Sequence, residues 1–258
     1  MSRTLLVTGA ASGIGKATAE LLTKQGETVI GADIHSADIV ADLATVEGRA
    51  ALVEQTSARS GGRLDGILAI AGLALPTPAT VAVNFFGMVA TLEGLRPLLA
   101  GSAAPRAVGV TSMASLMDVD DDLVTAMLAG DEPAALARAA TLTDTPDAQT
   151  IYASTKRAFA RWIRRTAATD LWAGQAIPLN AIAPGVIRTP MVAEMIGTPE
   201  GEAAIKQVVP MPLNGFAEAI VPAYLLAWLA GEENSHLCGQ VVFVDGGSDA
   251  MIRGDSTW

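Results

Sequence analysis

The sequence predicts an α/β fold, in which a doubly wound parallel sheet of about seven strands carries helices on both faces. The chain has 258 residues, of which 50% are hydrophobic and 17% are charged, so it can bury most of its apolar surface in one core. Short, continuous apolar runs recur along it, and such runs are typical of strands buried on both faces of a parallel sheet. Longer windows with helical periodicity separate these runs, and the alternation predicts parallel strands connected by helices.

The periodicity places most of the elements in chain order. Strands are predicted at Arg3–Thr8, Thr28–Ala32, Gly66–Ala71, Ala107–Thr111, Ala176–Ala181 and Gln240–Val244. Helices are predicted at Ile14–Gln25, Val46–Arg59, Pro78–Leu99, Thr150–Ala173 and Phe216–Ala230. Because the chain shows no internal repeat, low-complexity tract or linker, we expect a single domain over 1–258.

One segment interrupts the alternation of strands and helices. More than thirty residues separate the strand that ends near Thr111 from the helix that starts near Thr150, and a structureless loop of that length is unusual. Asp118–Ala129 and Pro133–Leu142 have the character of short helices, and Asp131 can cap the second of them. The sequence therefore predicts a helical insertion over about 117–148.

Composition and charge argue against several functional classes. Acidic residues outnumber basic ones by 27 to 17, so neither a nucleic acid nor an anionic membrane is an expected partner. The single cysteine, Cys238, rules out an intrachain disulfide and a cysteine cluster for metal. No signal peptide is expected, and the apolar stretch Ile220–Ala230 is too short to span a bilayer. We therefore expect a cytoplasmic protein.

The acidic run Asp118–Asp122 has the look of a cation site. It has Leu123 where a calcium loop needs glycine, and it is therefore predicted to be a solvated helix start.

A glycine-rich loop follows the first predicted strand. It reads Thr8-Gly9-Ala10-Ala11-Ser12-Gly13-Ile14-Gly15 and leads into a helix, the arrangement in which a backbone approaches a pyrophosphate at a helix N-terminus. Asp33, eighteen positions after Gly15, ends the second strand, where its carboxylate can accept hydrogen bonds from ribose hydroxyls and repel a 2′-phosphate. No arginine or lysine closely follows Asp33. Ser12 occupies the position in the glycine loop from which a basic side chain could bind that phosphate. The pattern predicts NAD rather than NADP; the alternative is a glycine-rich turn beside a surface aspartate.

Tyr152 and Lys156 lie four positions apart on a predicted helix and therefore share one face. A nearby ammonium favours the phenolate, so we expect Lys156 to lower the pKa of Tyr152 and prepare it to exchange a proton with an alcohol. Ser112, at the carboxyl end of a predicted strand, can donate a hydrogen bond to a carbonyl oxygen, and sites in open α/β sheets lie at those strand ends. A tyrosine and a lysine at this spacing are common, and alone they would be interpreted as part of a solvated helix face. Together with the upstream glycine loop, they are interpreted as a catalytic pair.

Together these motifs closely resemble the short-chain dehydrogenase/reductase family over nearly the whole chain. The cofactor loop is matched, and Asn84, Ser112, Tyr152 and Lys156 match the catalytic tetrad. Further matches are Asp42-Leu43, Ala71-Gly72, Asn180–Gly185, Val186–Thr189 and Asp245-Gly246-Gly247. Two features depart from the family pattern. Ala69-Ile70 replace two asparagines, and forty positions separate Ser112 from Tyr152. That insertion resembles the bacterial 3α-hydroxysteroid dehydrogenase/carbonyl reductase branch.

The resemblance implies a Rossmann-type NAD-binding domain and a role for each tetrad residue. Tyr152 is the general acid or base, Lys156 holds the nicotinamide ribose, Ser112 orients the carbonyl, and Asn84 supports a water that connects Lys156 to solvent. No metal is expected, because serine and tyrosine handle the oxygen. The implied cofactor-binding residues are Gly9, Ser12, Gly13, Ile14, Gly15, Asp33, Asp42, Leu43, Ala71, Gly72, Tyr152, Lys156, Pro184, Gly185, Ile187 and Thr189. The insertion could cover a tetramer surface, so a homodimer is expected, with a homotetramer as the alternative.

The segment over about 190–212 corresponds to the family's mobile substrate lid, and its methionines suit an irregular apolar ligand. Met113, Leu116, Met191 and Met195 are the predicted substrate contacts, with ordinary core packing as the alternative. The expected reaction interconverts a hydrophobic secondary alcohol and its ketone: a steroid, a terpenoid or an aryl ketone.

There are two alternatives to this function. A dehalogenase with changed chemistry is disfavoured by Gly13, Gly15 and Lys156. A non-catalytic dinucleotide-binding regulatory protein on the same fold is the other alternative. Arg157, Arg161, Arg164 and Arg165 are expected to face solvent or a second subunit.

Overall fold

A computed structural model of the chain describes residues 2–256, and its centre is a seven-stranded parallel sheet. Its strands are β1 Thr4–Thr8, β2 Thr28–Asp33, β3 Ile39–Val40, β4 Gly66–Ala69, β5 Arg106–Val110, β6 Leu179–Pro184 and β9 Val241–Val244, in the order β3-β2-β1-β4-β5-β6-β9. Two short strands, β7 Ile187–Arg188 and β8 Ala217–Glu218, pair separately. Leu6 of β1 lies between Ile30 of β2 and Ile67 of β4, all buried. The predicted fold class is confirmed.

Helices cover the sheet. They are α1 Gly13–Lys24, α2 Val46–Ser60, α3 Pro78–Val81, α4 Met88–Leu95, α5 Asp121–Leu128, α6 Glu132–Leu142, α7 Thr150–Thr166, α8 Ala193–Ile196, α9 Pro199–Val208, α10 Ile220–Ala230 and α11 Ser248–Arg253. Helices α1 and α10 pack against each other, as do α2 and α4, and α7 packs against α3 and α5. The largest buried side chains, among them Trp172 and Phe159, fill the space between these helices and the sheet.

Several predicted boundaries in the second half of the chain are wrong, and turns explain the shifts. The helix that begins at Thr150 ends at Thr166, short of the predicted Ala173. The strand expected at Ala176–Ala181 is β6, which starts later because Ala176 adopts a left-handed turn with φ of 55°. The helix expected at Phe216–Ala230 begins at Ile220, since the residues just before it pair as β8 with β7.

The predicted helix Pro78–Leu99 is continuous but changes its hydrogen-bond pattern. A π-helical segment, Ala82–Gly87, joins α3 to α4, and a 3₁₀ turn closes the stretch. By length and composition alone, this 22-residue stretch could cross a membrane. From the sequence, only the shorter stretch Ile220–Ala230 was considered as a possible membrane span. In the fold, however, 67% of its most apolar window is buried, and it packs as a core helix.

Helices α5 and α6 lie within the segment where an insertion is predicted. The Asp120 carboxylate accepts from the Leu123 amide at 2.8 Å and so caps α5. It also binds the Arg138 guanidinium of α6 through two hydrogen bonds, and that pairing holds the pKa of Asp120 below its usual range. Asp131 caps α6 through the Ala134 amide, as predicted from the sequence. Asp120 of the acidic run thus stabilises the start of α5 and its contact with α6, and Asp131 stabilises the start of α6.

Candidate active site

A cleft of about 520 Å³ opens at the carboxyl ends of the strands, where the order of the sheet reverses beside β1. Open α/β sheets bind ligands at such reversals. Every residue implied above as cofactor-binding lines this cleft, from Gly9 in the glycine loop to Thr189 after β7. Three of the four predicted catalytic residues line it as well: Ser112, Tyr152 and Lys156. Asn84 lies outside the lining, fully buried.

The glycine loop brings the start of α1 against the end of β1. A Cβ on Gly15 would lie 2.1 Å from the Gly9 carbonyl oxygen, so only glycine permits this close approach. Gly9 itself has φ of 72°, a left-handed conformation that glycine adopts without strain. Gly13, Ile14 and Gly15, the first residues of α1, line the cleft, and a helix N-terminus at such a place can receive an anionic group such as a pyrophosphate. The cradle therefore fits a dinucleotide.

The Asp33 carboxylate stands at the far end of the same cleft. Its Oδ2 accepts a hydrogen bond from the Ala11 amide at 3.0 Å, and its Oδ1 accepts one from the His35 amide at 3.2 Å. The bond from Ala11 ties the end of β2 to the glycine loop, the local bond from His35 holds the second oxygen, and together they fix the negative charge at the cleft wall. A fixed carboxylate there accepts from hydroxyls and repels a phosphate.

The Thr8 hydroxyl connects β1 to β4 where the family's two asparagines are missing. It accepts from the amides of Ile70 and Ala71 at 2.9 and 3.1 Å. Thr8 also lines the cleft, although it was not among the site residues predicted from the sequence. Its place directly before Gly9 in the glycine loop was the available signal.

Ser112, Tyr152 and Lys156 come together because α7 lies close to β5. A Cβ on Gly109 of β5 would lie 2.5 Å from the Phe159 ring of α7, so this glycine sets the close packing of helix on sheet. The Lys156 ammonium donates to the Val110 carbonyl at 3.1 Å, and the Thr111 hydroxyl donates to the Lys156 carbonyl at 2.7 Å.

Ser112 Oγ accepts from the Ala114 amide at 3.1 Å, and the Ser112 hydroxyl lies close enough to Tyr152 to act on the pKa of its phenol, which it lowers. The Lys156 nitrogen lies 5.6 Å from the centre of the Tyr152 ring. Hydroxyl, phenol and ammonium therefore lie on one side of the cleft, where a polar oxygen of a ligand can reach the first two.

Burial shifts both titratable groups of this trio away from their charged forms. It lowers the pKa of Lys156 from 10.5 to about 8. It also raises the pKa of the Tyr152 hydroxyl, and the nearby Ser112 hydroxyl offsets only part of this. The expectation of a lowered Tyr152 pKa is therefore wrong for this arrangement, because burial of the phenol is the largest contribution.

Asn84 lies in the π-helical segment and holds the backbone after Gly72. Its Oδ1 accepts from the Leu73 amide and its Nδ2 donates to the Leu73 carbonyl, both at 2.8 Å. The Nδ2 group also donates to the Thr155 hydroxyl of α7 at 3.3 Å. Asn84 therefore connects the cleft wall to the catalytic helix. That Asn84 supports a water molecule connecting Lys156 to solvent stays a prediction. π-helical turns are often found at functional sites.

Comparison with known proteins agrees with this geometry. A family model described as Enoyl-(Acyl carrier protein) reductase matches residues 9–249. The 3-alpha-hydroxysteroid dehydrogenase/carbonyl reductase of Comamonas testosteroni is 32% identical over 257 residues, covering 96% of this chain and 97% of that protein. The chain belongs to the short-chain dehydrogenase/reductase family.

Two further relatives illustrate the range of this family. The crystal structure of the 3-alpha-hydroxysteroid dehydrogenase from Pseudomonas sp. B-0831 complexed with NADH is 38% identical, with a TM-score of 0.89, over 98% of this chain and 99% of that one. The cis-4-hydroxycyclohexanecarboxylate dehydrogenase of Sinomonas cyclohexanicum is 29% identical over 96% of this chain and 97% of that protein. The predictions of the family and of the enzyme class, an NAD(H)-dependent alcohol dehydrogenase or ketone reductase, are confirmed.

The substrate side of this short-chain dehydrogenase/reductase differs from expectation. Of the four predicted contacts, Met191 lines the cleft and is half exposed. Leu116 and Met195 are absent from the lining, and Met113 is buried in a second apolar cluster with Val186, Val209, Met211 and Phe216. Met113 therefore packs under the lid segment in this structure, which favours the alternative of core packing for that residue. Leu73, Pro190 and Val192 add further apolar lining on this side.

The arginines of the catalytic helix were also predicted incorrectly in part. Arg157 does not face solvent: its guanidinium donates to the carbonyls of Ser115 and Met117, at 2.5 and 2.6 Å. Arg164 donates to the Gly239 carbonyl at 3.0 Å. Arg157 thereby fixes the chain just after Ser112 to the helix that carries Tyr152 and Lys156. Its partners are backbone carbonyls far away in sequence, which leave no pattern in the sequence.

Proposed function

We propose that this chain is an NAD-dependent oxidoreductase that interconverts a hydrophobic secondary alcohol and its ketone. One observation carries the proposal: Ser112, Tyr152 and Lys156 converge on a cleft that begins at the glycine loop. This arrangement offers a hydrogen-bond donor and a proton donor to one ligand oxygen, beside a site shaped for a dinucleotide.

The chain's own residues handle the oxygen of the substrate. In the reduction, the Ser112 hydroxyl donates a hydrogen bond to the ketone oxygen, and Tyr152 gives that oxygen its proton. The raised pKa of Tyr152 keeps the phenol protonated at neutral pH, which is the form that reduction needs. NADH, when bound, supplies the hydride, and NAD accepts it in the reverse reaction. In oxidation Tyr152 takes the proton, and the charge of Lys156 favours the phenolate.

The choice of NAD over NADP depends on Asp33. Its carboxylate is held in place by the Ala11 and His35 amides, so it cannot turn away from a 2′-phosphate without losing both bonds. The residues that would hold the cofactor are those of the glycine loop, Asp33, Asp42, Leu43, Ala71 and Gly72, with Tyr152, Lys156 and the segment Pro184–Thr189 at the other end. The Pseudomonas relative, whose crystal structure contains NADH, supports the same cofactor.

The substrate class follows from the lining and from the relatives. Leu73, Met191 and Val192 make the open side of the cleft apolar, and the related enzymes from Comamonas testosteroni and Pseudomonas are named for hydroxysteroids. A steroid, a terpenoid or an aryl ketone fits such a lining. We include the lid over about 190–212 and the insertion over about 117–148 in one NAD-binding domain of residues 1–258.

A substrate panel tests this function. The purified chain is expected to oxidise NADH, or to reduce NAD, with at least one steroid, monoterpenol or aryl ketone, and its kcat/KM is expected to be higher with NADH than with NADPH. An Asp33→Ala variant should narrow that difference, because the repulsion is removed. Equal activity of the unmodified chain with NADPH would contradict the assignment of NAD. Binding of NADH without any turnover would indicate a non-catalytic regulatory protein.

For the assembly we propose a homodimer, in the cytoplasm. One face of α10 is apolar and exposed: Ile220, Val221, Tyr224 and Trp228. Light scattering is expected to give about 53 kDa, twice the chain mass of 26.4 kDa. A Tyr224→Glu/Trp228→Glu double variant should sediment as a monomer, whereas Leu171→Glu, at an exposed leucine elsewhere, should leave the dimer intact. A stable tetramer would contradict the dimer.

A further inference from the structure

A buried arginine connects the helical insertion to the cofactor cleft. Arg49 lies in the first turns of α2, and its side chain is 10% exposed. Its Nε donates to the Leu43 carbonyl at 2.7 Å, and one terminal nitrogen donates to the Ala82 carbonyl at 3.0 Å. Leu43 lines the cleft, and Ala82 begins the π-helical segment that carries Asn84. A single guanidinium thus fixes two segments that shape the site.

The charge of Arg49 is balanced from outside the cofactor region. Both terminal nitrogens bind the carboxylate of Glu132 at 2.7 Å, in a bidentate pair. Glu132 is the first residue of α6, in the insertion, and its side chain is 24% exposed. Such a pair is among the stronger polar contacts in proteins, and removing one partner leaves a buried charge without compensation. Without Glu132, the guanidinium would turn toward solvent and release the carbonyls that it holds.

Besides the packing of Leu43, which is buried in the core, the hydrogen bonds that hold the segment around Leu43 come mainly from within the segment and from Arg49. Asp42 to Ala44 lie between the short strand β3 and the start of α2. The Asp42 carboxylate accepts from the Ala44 amide at 2.9 Å, which is a bond within the segment itself. The Thr45 hydroxyl donates to the Asp42 carbonyl at 3.1 Å, again locally. The bonds from Arg49 to Leu43 and Ala82 connect this segment to the neighbouring helix.

We propose that Arg49 is a positioning residue for the wall of the cleft formed by Asp42, Leu43 and Ala44, and that the insertion holds Arg49 in place through Glu132. The proposal depends on the proposed function only in that this cleft binds NADH. The insertion therefore contributes to the affinity for the adenine half of the cofactor, although its helices do not line the cleft. The chemical step, at the other end of the cleft, is unaffected.

Binding measurements on matched variants test this role. Arg49→Met is expected to raise the Kd for NADH and for AMP, which carries only the adenine half, about tenfold each, the loss of roughly one charge-assisted contact. Glu132→Gln should raise both Kd values in the same direction by a smaller factor, and Arg49→Lys should fall between wild type and Arg49→Met. The double variant is expected to bind no worse than Arg49→Met alone, because the two residues act through one contact. The kcat at saturating NADH should stay within about twofold of wild type.

Arg138→Met is the control, since Arg138 also makes an ion pair in the insertion but contacts nothing at the cleft. It should lower the unfolding temperature and leave both Kd values unchanged. A merely structural role for Arg49 would make Arg49→Met and Glu132→Gln behave in the same way as this control, and that result would overturn the proposal. If Arg49→Met fails to fold, Glu132→Gln, which leaves the Arg49 side chain in place and removes only its charged partner, decides the question. A wild-type chain that does not bind NADH would contradict the proposed function itself.

Discussion

Replacing Tyr152 with phenylalanine is expected to lower kcat by about 10²–10⁴-fold, the usual contribution of a positioned general acid. The variant removes one oxygen atom, the proposed proton donor, and leaves the aromatic ring in its partly buried position at the cleft. The Kd for NADH, measured by nicotinamide fluorescence, should therefore change by less than about threefold, since the loop that receives the pyrophosphate is unaffected.

The chain offers a matched control for this substitution, because it has only two tyrosines. Tyr224 lies on α10 and is 60% exposed, so Tyr224→Phe should retain wild-type turnover. A Tyr152→Phe enzyme with more than a tenth of wild-type kcat would show that another group supplies the proton. Because the pKa of Tyr152 is raised, the phenol of the unmodified enzyme stays protonated above neutral pH.

Replacing Lys156 with methionine is expected to abolish turnover and at the same time to stabilise the fold at neutral pH. Lys156 is 3% exposed, and within the described part of the chain its ammonium donates one hydrogen bond, to the Val110 carbonyl. Burial lowers its pKa from 10.5 to about 8, so folding at pH 7 buries a charged ammonium at a cost in free energy. Methionine has a similar length and no charge, so the unfolding temperature measured by calorimetry should rise at pH 7.

The pH dependence of this difference gives a sharper test. Between about pH 8 and 10.5 the unfolded chain keeps the Lys156 proton that the folded chain has lost, so the free energy of unfolding of the wild type rises with pH relative to the variant. The advantage of Lys156→Met should be largest below pH 8 and should disappear as the pH approaches 10.5. A variant that is less stable than wild type at pH 7 would show that the Val110 hydrogen bond outweighs the burial of charge. Lys206→Met, at an exposed lysine in α9, is the control.

The residues that could be predicted from sequence are those whose roles depend on local spacing. Gly9, Gly13 and Gly15 follow a strand and precede a helix, and Tyr152 and Lys156 are one helical turn apart, so their neighbours in the chain already place them. The order of strands and helices could be predicted for the same reason. In the second half of the chain the boundaries of β6 and α10 could not be predicted, because a left-handed turn at Ala176 and the pairing of β7 with β8 moved them.

What could not be predicted depends on contacts between distant parts of the chain. Arg49 and Glu132 are 83 residues apart, and neither belongs to a motif. Met113 follows Ser112 directly, yet the lid residues Val209 and Met211 bury it. The Tyr152 pKa depends on how deeply α7 packs on the sheet, which the spacing of Tyr152 and Lys156 does not reveal. In each case the deciding quantity is burial, which arises only when the whole fold assembles.

The π-helical segment Ala82–Gly87 places a strict limit on the length of the chain at this point. A π turn contains one residue more than an α turn, so the segment behaves as a one-residue insertion absorbed within a longer helix. Deleting one residue before Asn84 would convert the π turn into an α turn. It would also bring Val83 or Phe85 to the position from which the Asn84 side-chain amide now binds the Leu73 backbone. Substitutions on the exposed side of this helix can accumulate freely, whereas changes in its length cannot.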